Sequence, residues 1–258
     1  MKSLYVAIQD HLSRSWSPVA RVVKQDGLYK LNYTSGAKDL ASFKGFGRMN
    51  ALDKEYVSSE MFPLLRNRVL AAGRPEAKSM ISWLGLRESQ YDAFEELART
   101  GGLRATDTIE LIPEPEPKDG RYIAHFFVRG IRHLPPATID VIDKLSVGDR
   151  LFLVKDVQNE KDPFALLLRT KEPVSLAGYA PRYYSEDLSL LASGTEVRAA
   201  CVTVERVNRD APLPYRVLCK IDAPWPDSFS ACQNSKFTSL AKGVVELADA
   251  HEMGSAVD

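Results

Sequence analysis

The sequence predicts an α+β protein with two small domains and a C-terminal tail. A chain of 258 residues can hold two domains of ordinary size. Residues 113–120 alternate proline with charged residues, which disfavours helix and central strand and indicates a stiff linker. Helical and strand-like patterns are mixed before this segment, whereas short strands dominate after it. We therefore predict an N-terminal α+β domain (1–113), a proline-rich linker (114–120), a β-rich domain (121–227) and a helical or disordered tail (228–258).

The N-terminal domain is expected to begin with a hairpin and to continue with helices. Asp26-Gly27 between two apolar runs is a strong signal for a two-residue turn. Serines before the apolar run 61–70 predict a capped helix, and glycines end two further helices. The expected strands are 5–8, 19–23, 28–33 and 108–112, and the two further helices cover 75–84 and 88–99.

The second domain is expected to consist of short strands with two short helices. Its runs of β-branched, aromatic and other apolar residues are separated by glycine, proline and polar residues, which is typical of a small β-rich fold. The expected strands are 122–129, 150–154, 164–169, 174–179, 196–207 and 215–221. The expected helices are 135–145 and 181–191, and in the tail we predict a helix at 235–250 followed by disorder at 254–258.

Composition limits the classes of function. Lysine and arginine together number 34, as do aspartate and glutamate, so the formal net charge is zero. A protein that coats nucleic acid indiscriminately needs an excess of cations to neutralise many phosphates, but a pocket that holds one strand end needs few. There is no secretory signal at the N-terminus and no run long enough for a membrane helix. Three widely spaced cysteines indicate reduced thiols in a cytoplasmic protein.

The sequence contains no recognisable catalytic or metal-binding motif. The four histidines are scattered, and neither Cys-x-x-Cys nor His-x-x-x-His spacing occurs. Gly45-Phe46-Gly47 lacks the Lys-Ser/Thr of a phosphate-binding loop, and no Gly-x-Ser-x-Gly elbow is present. We therefore predict a protein that is not an enzyme and that has no catalytic residues, cofactor or metal.

Four motifs in the second domain occur in a characteristic order. They are Phe127-Val-Arg-Gly-Ile-Arg-His133, Gly148-Asp149, Asn159-x-x-Asp162-Pro163-x-Ala165 and Gly178-Tyr179-Ala-Pro-Arg182. In this order and spacing, residues 121–227 resemble the HIRAN domain, a small β-barrel. The resemblance implies a HIRAN-like β-barrel with short helices that captures the 3′ end of single-stranded DNA.

The resemblance also implies which residues bind the strand end. The arginine-aromatic pair of the family corresponds to Arg132-His133, and its aromatic-aspartate pair corresponds to Lys161-Asp162. In relatives the aspartate accepts a hydrogen bond from the 3′-hydroxyl and the aromatics stack on bases. Tyr179 is expected beside these pairs. From its charge and position we also expect Arg182 to contact a phosphate, although a solvated loop residue is the plainer alternative.

Two of these residues differ from the family pattern, and two others could have a purely structural role. His133 and Lys161 replace residues that are aromatic in the family, and lysine contacts a phosphate instead of stacking on a base. An ionised aspartate only accepts hydrogen bonds, which suits a hydroxyl and repels a terminal phosphate. Asp162 could instead cap its own turn, as Asp-Pro pairs often do, and Tyr179 could cover the mouth of the barrel.

The first domain carries a second resemblance. Phe62–Arg68 and Phe94–Gly102, followed by a strand that ends at Pro113, resemble the N-terminal subdomain of HipA-type kinases, which meets antitoxin partners. No kinase core follows it. The combination resembles bacterial proteins in DNA repair or defence, with a protein partner bound through the N-terminal domain. The alternatives to DNA-end binding are therefore a protein-interaction adaptor in a toxin-antitoxin or anti-phage system and, least favoured, a nuclease.

Overall fold

The computed structural model describes residues 2–13, 15–71, 73–104, 106–160, 162–193 and 200–247. Contacts within the chain divide it into two compact units. The first unit comprises 1–71, 92–114 and 232–258, and the second comprises 72–91 and 115–231. Each unit is thus assembled from separate parts of the sequence, and the predicted linker 114–120 contains the boundary after Glu114.

Short strands and a few short helices make up both units. The strands are β1 (Lys2–Gln9), β2 (Trp16–Gln25), β3 (Leu28–Tyr33), β4 (Lys54–Ser58), β5 (Ile109–Pro113), β6 (Pro117–Lys118), β7 (Arg121–Phe127), β8 (Arg150–Lys155), β9 (Leu166–Arg169), β10 (Leu176–Tyr179), β11 (Cys201–Val207), β12 (Val217–Pro224) and β13 (Gly243–Glu246). The α-helices are α1 (Pro63–Arg66), α2 (Glu76–Trp83), α3 (Ala93–Thr100), α4 (Pro136–Asp143) and α5 (Arg182–Ser193). None of the helices in these described ranges has the length and apolar character that a membrane crossing requires.

The first unit is a sheet in the order β13-β4-β3-β2-β1-β5. The predicted hairpin joins β2 to β3, and its two central residues, Asp26 and Gly27, have φ of 51° and 78°. Two left-handed residues give the twist that a tight hairpin needs, which explains the Asp-Gly pair. Asp92 caps the start of α3 with a side chain that accepts the Phe94 N–H, and the left-handed Gly101 caps its end. Phe94 and Leu97 of this helix are buried in the core of the unit.

The helix predicted over residues 61–70 is wrong in extent, because α1 is a single turn. Ser58 belongs to β4, and its hydroxyl accepts the Glu60 N–H instead of capping a helix. Beyond the turn, Leu70 and the side chain of Arg68 form hydrogen bonds with partners distant in sequence. The Leu70 N–H donates to the Glu96 carboxylate, and the Arg68 guanidinium donates to the Gly102 carbonyl at 2.8 Å.

The predicted tail helix over 235–250 is also wrong for the part that the structure describes. After a 3₁₀ turn at Ser235–Phe237, the chain forms β13, which pairs in parallel with β4. Val244 and Val245 are β-branched and fit a sheet better than a helix once a partner strand is available. Residues 248–258, which include the end of that helix and the predicted disorder at 254–258, lie outside the described residues.

The second unit is a curled sheet in the order β10-β9-β8-β11-β12-β7-β6. The α+β class is confirmed, and where the sequence predicts a HIRAN-like β-barrel the structure has a curled half-barrel. Within the described residues, one bridge between Arg129 and Tyr179 connects the β10 edge to the chain leaving β7. The interior is a continuous apolar core that includes Phe126, Leu168 and Ile221. The proline-containing strand β6 lies at the opposite edge, where a missing N–H is tolerated.

Helices α4 and α5 add side chains to this core. Ile142 of α4 and Tyr184 and Leu188 of α5 are buried in it. Helix α5 begins at Arg182, immediately after Pro181, and this placement puts Arg182 beside the end of β10. The core therefore fixes the strand ends and the helix start that carry most of the predicted site residues.

Candidate functional site

The predicted Gly-Tyr turn lies where the two edges of the curled sheet approach each other. Tyr179 and Arg129 exchange backbone hydrogen bonds of 2.9 Å in both directions. Gly178 has φ of 129°, and a Cβ at this position would collide with the Arg129 carbonyl and lie 2.6 Å from Val128 Cγ1. Only glycine fits this close approach of two backbones. The Tyr179 ring also packs against Gly130, where a Cβ would be 3.2 Å from Tyr179 Cδ2.

The Tyr179 hydroxyl fixes the loop that follows β8. It donates a 2.9 Å hydrogen bond to Asp156 Oδ2, and the same oxygen accepts from Asn159 Nδ2 at 3.3 Å. Burial raises the pKa of the Tyr179 phenol, and the hydrogen bond and negative charge of Asp156 raise this pKa further. The phenol therefore stays protonated at neutral pH and serves as a hydrogen-bond donor to the loop.

Asp162 is held in place on both sides of its carboxylate. Its Oδ1 accepts the Phe164 N–H at 3.0 Å, and its Oδ2 accepts from Arg182 Nε at 3.3 Å. Its own N–H donates to Asn159 Oδ1 at 3.0 Å. The side chain is 13% exposed, against 34% for Arg182. The turn-capping role left open by the sequence is thus present, while each carboxylate oxygen retains the capacity to accept another hydrogen bond.

Arg132 and His133 lie in a 3₁₀ turn that begins directly after Gly130. Both side chains are exposed, and Arg132 Nε donates to His133 Nε2 at 3.0 Å. At most about 10 Å of chain separates Arg132 from the Arg129–Tyr179 bridge. Lys161, the remaining predicted contact, lies outside the described residues.

The structure therefore brings three of the predicted residues, Asp162, Tyr179 and Arg182, to one end of the curled sheet. Asp162 and Arg182 form an ion pair, and Tyr179 is joined to their loop through Asp156 and Asn159. We call Asp156, Asn159, Asp162, Tyr179 and Arg182 the strand-end cluster. Asp156 was missed from the sequence. Its position directly after a predicted strand and three residues before Asn159 was the available signal, but aspartate is common in such places.

The chemistry of the cluster favours binding a polar group with a hydrogen to donate. Two carboxylates, Asp156 and Asp162, lie in one loop, and the Arg182 guanidinium meets one of them. No group of three or more His, Cys, Asp or Glu side chains is arranged to hold a metal ion in the part of the chain that the structure describes.

A comparison with family models identifies the class of this unit. Residues 123–225, less than half of the chain, match the HIRAN domain. The HIRAN domain is known as a nucleic-acid-binding domain that recognises the 3′ ends of single-stranded DNA, and the domain itself is not catalytic. No curated protein and no solved structure matches the chain. The likeness of the N-terminal region to the HipA subdomain stays a prediction.

Proposed function

We propose that this protein captures the free 3′ end of single-stranded DNA at the strand-end cluster and acts by binding alone. The match of residues 123–225 to the HIRAN domain supports this function. The observation that carries it is the anchored carboxylate of Asp162, which the Phe164 N–H and Arg182 hold in one orientation. In this proposal the terminal 3′-hydroxyl donates a hydrogen bond to Asp162.

The other predicted contacts serve the terminal nucleotide and its phosphate. Arg132 and Arg182 contact phosphate oxygens, and Lys161 beside Asp162 does the same. His133 and Tyr179 lie against the terminal base, where stacking on an aromatic ring contributes about 1–3 kcal/mol per base. Because Asp156 adds a second carboxylate to the loop, a 3′-phosphate would be repelled at this place.

Fluorescence anisotropy with the whole chain tests this function. Oligonucleotides of one sequence would end in a 3′-hydroxyl, a 3′-phosphate or a 3′-deoxy sugar. We expect the 3′-hydroxyl end to bind most tightly, and loss of the hydroxyl to cost about 1–3 kcal/mol because its hydrogen bond to the charged Asp162 carboxylate is then missing. Equal affinity for all three ends, or no binding, would overturn the proposal.

Incubation with labelled DNA and Mg²⁺ or Mn²⁺ tests the absence of catalysis. We expect single strands to be recovered intact after incubation with the protein. Cleavage that persists across independent preparations would show that binding is not the whole activity.

A further inference from the structure

A second group of residues stands on the outward face of the same sheet, away from the apolar core. Strand β8 alternates buried Leu151 with Arg150 and Phe152, which point to the opposite face. On the neighbouring strand, Arg169 lies directly across from Phe152. We call Arg150, Phe152 and Arg169 the arginine-aromatic face.

The two arginines lie over the ring of Phe152. The guanidinium carbon of Arg169 is 4.9 Å from the ring centroid, and that of Arg150 is 5.3 Å from it. Within the described residues, neither arginine has a carboxylate within 4.0 Å. Arg150 is exposed and Phe152 and Arg169 are half-buried, so the surface presents two uncompensated cations and flat groups to solvent.

This face is continuous with the strand-end cluster. In the strand register Tyr179 lies opposite Leu167, which lies opposite Val154. Directly opposite residues point to the same face of a sheet, so Tyr179 points to the same face as Val154. Phe152 is two residues from Val154 along β8 and points to this face as well. Tyr179 and Phe152 are therefore two strands apart across the sheet and two residues apart along it. With about 4.8 Å between neighbouring strands and a rise of about 3.3 Å per residue, Tyr179 and Phe152 are about 12 Å apart.

We propose that the arginine-aromatic face is a second contact surface for single-stranded DNA, which takes up nucleotides upstream of the end held by the strand-end cluster. This inference rests on the proposed function. Guanidinium groups offer planes for bases to stack on and N–H groups for phosphate oxygens, and aromatic rings add stacking area. The combination fits a polyanion with planar bases better than it fits an acidic protein surface, which lacks those bases.

The distance determines which nucleotides reach this surface. A stacked strand advances about 3.4 Å per nucleotide, so a 12 Å span corresponds to about four nucleotides. A dinucleotide with a 3′-hydroxyl therefore contacts the strand-end cluster without reaching Phe152, whereas a decanucleotide contacts both.

The test compares a labelled dinucleotide and decathymidylate, both with a 3′-hydroxyl, on the whole chain. Phe152→Ala should weaken decathymidylate binding by about five- to 150-fold and leave the dinucleotide unchanged. Combined Arg150→Gln and Arg169→Gln should reduce the slope of log affinity against log salt by about 1.4, since each phosphate contact to a single strand contributes about 0.7. Arg169→Lys keeps the charge and should weaken binding with little change in slope, because lysine has no plane.

Two controls separate this effect from a structural one. Lys118→Gln removes a cation from β6, the edge strand opposite β10. It should change the affinity for neither the dinucleotide nor decathymidylate. Decathymidylate with abasic sites at the third to sixth nucleotides from the 3′ end should bind wild type more weakly than intact DNA does. This difference should be smaller for Phe152→Ala, which has lost the stacking area of the ring.

The outcomes distinguish this inference from the proposed function. Suppose that the chain prefers 3′-hydroxyl ends but Phe152→Ala weakens the binding of both oligonucleotides equally, or of neither. This result overturns the second surface and leaves the proposed function standing. Length-dependent losses without any preference for the 3′-hydroxyl support the surface and overturn end recognition. No binding of single strands at all overturns both.

Discussion

The Tyr179 hydroxyl and the Asp156 carboxylate join two segments that are 23 residues apart, with a hydrogen bond of 2.9 Å. Asp156 also accepts from Asn159, whose side-chain oxygen in turn accepts the Asp162 N–H. The position of Asp162 thus depends on Tyr179, although the two side chains share no hydrogen bond. Tyr179 has two roles in the proposed site: its ring lies by the terminal base and its hydroxyl orients the loop.

This coupling predicts the behaviour of two variants. Tyr179→Phe keeps the ring and removes the tether, and Asp156→Ala removes the acceptor. Each should weaken binding of a 3′-hydroxyl oligonucleotide by about 1 kcal/mol, the net value of one hydrogen bond. In a double-mutant cycle measured by anisotropy, the combined loss should be smaller than the sum by about 0.5 kcal/mol or more. Strictly additive losses would show that the two residues act independently.

If Asp162 binds the 3′-hydroxyl, the loss of affinity on mutating it should depend on whether the DNA end carries that hydroxyl. Asp162→Ala should weaken binding of a 3′-hydroxyl end by about 1–3 kcal/mol. It should have little effect on a 3′-deoxy end, which has no hydrogen to donate. Asp162→Asn serves as the matched variant, since its amide oxygen still accepts the Phe164 N–H and preserves the turn. Equal losses on both ends would mean that Asp162 caps its turn and has no contact with the hydroxyl.

The sequence predicted most of the local structure because its signals were local. The Asp26-Gly27 hairpin and helix α2 depend on neighbouring residues. The assignment of α2 to the second unit was not predictable, because the contacts of α2 are distant in sequence. Trp83 stacks on Tyr215, and Ser82 accepts a hydrogen bond from Arg206, 124 residues away. Strand β13 was read as helix for the same reason, since its partner β4 lies far away in the sequence.

The site was predictable in its parts and not in its connections. The resemblance to the HIRAN domain and the residues beside its motifs led to the prediction of Asp162, Tyr179 and Arg182 as contacts, and the structure places these three residues at one end of one sheet. The hydrogen bond that makes Asp156 a member of the cluster spans two strands and depends on register, which a single sequence does not fix. The arginine-aromatic face was missed because Arg150 and Arg169 come together only when β8 pairs with β9.

Adding one methyl group at Gly178 should cause a large loss of stability. Gly178→Ala places a Cβ against the Arg129 carbonyl and Val128, so the bridge that carries Tyr179 has to move. Gly148→Ala is the matched control, because Gly148 also has positive φ, at 90°, but a Cβ there meets nothing within 4 Å. In urea unfolding, Gly178→Ala should be less stable than Gly148→Ala by about 1–3 kcal/mol, the usual cost of overpacking. Equal stability of the two variants would show that backbone strain alone matters.

Asp92 in the first unit carries the prediction of pH dependence. Burial alone would raise the pKa of its carboxyl group, but hydrogen bonds from the Phe94 N–H, Lys24 and Lys2 outweigh burial and hold the pKa below its ordinary value. A pKa that is lower in the folded than in the unfolded state stabilises the protein above the unfolded pKa, and this stabilisation is lost as pH falls through the folded pKa.

Urea unfolding of Asp92→Ala and Asp92→Asn at two pH values measures this contribution. At about pH 7, well above the ordinary aspartate pKa of about 3.9, Asp92→Ala should lower the free energy of unfolding by about 1 kcal/mol or more. Asp92→Asn should lower it less, because asparagine caps a helix as well as aspartate does and loses only the ion pairs to Lys2 and Lys24. At about pH 2 the difference between Asp92→Asn and wild type should shrink, since the stabilisation from the lowered pKa is lost as pH falls below the ordinary aspartate pKa and through the folded pKa. A difference that stays constant between the two pH values would show that the charge of Asp92 contributes nothing to folding.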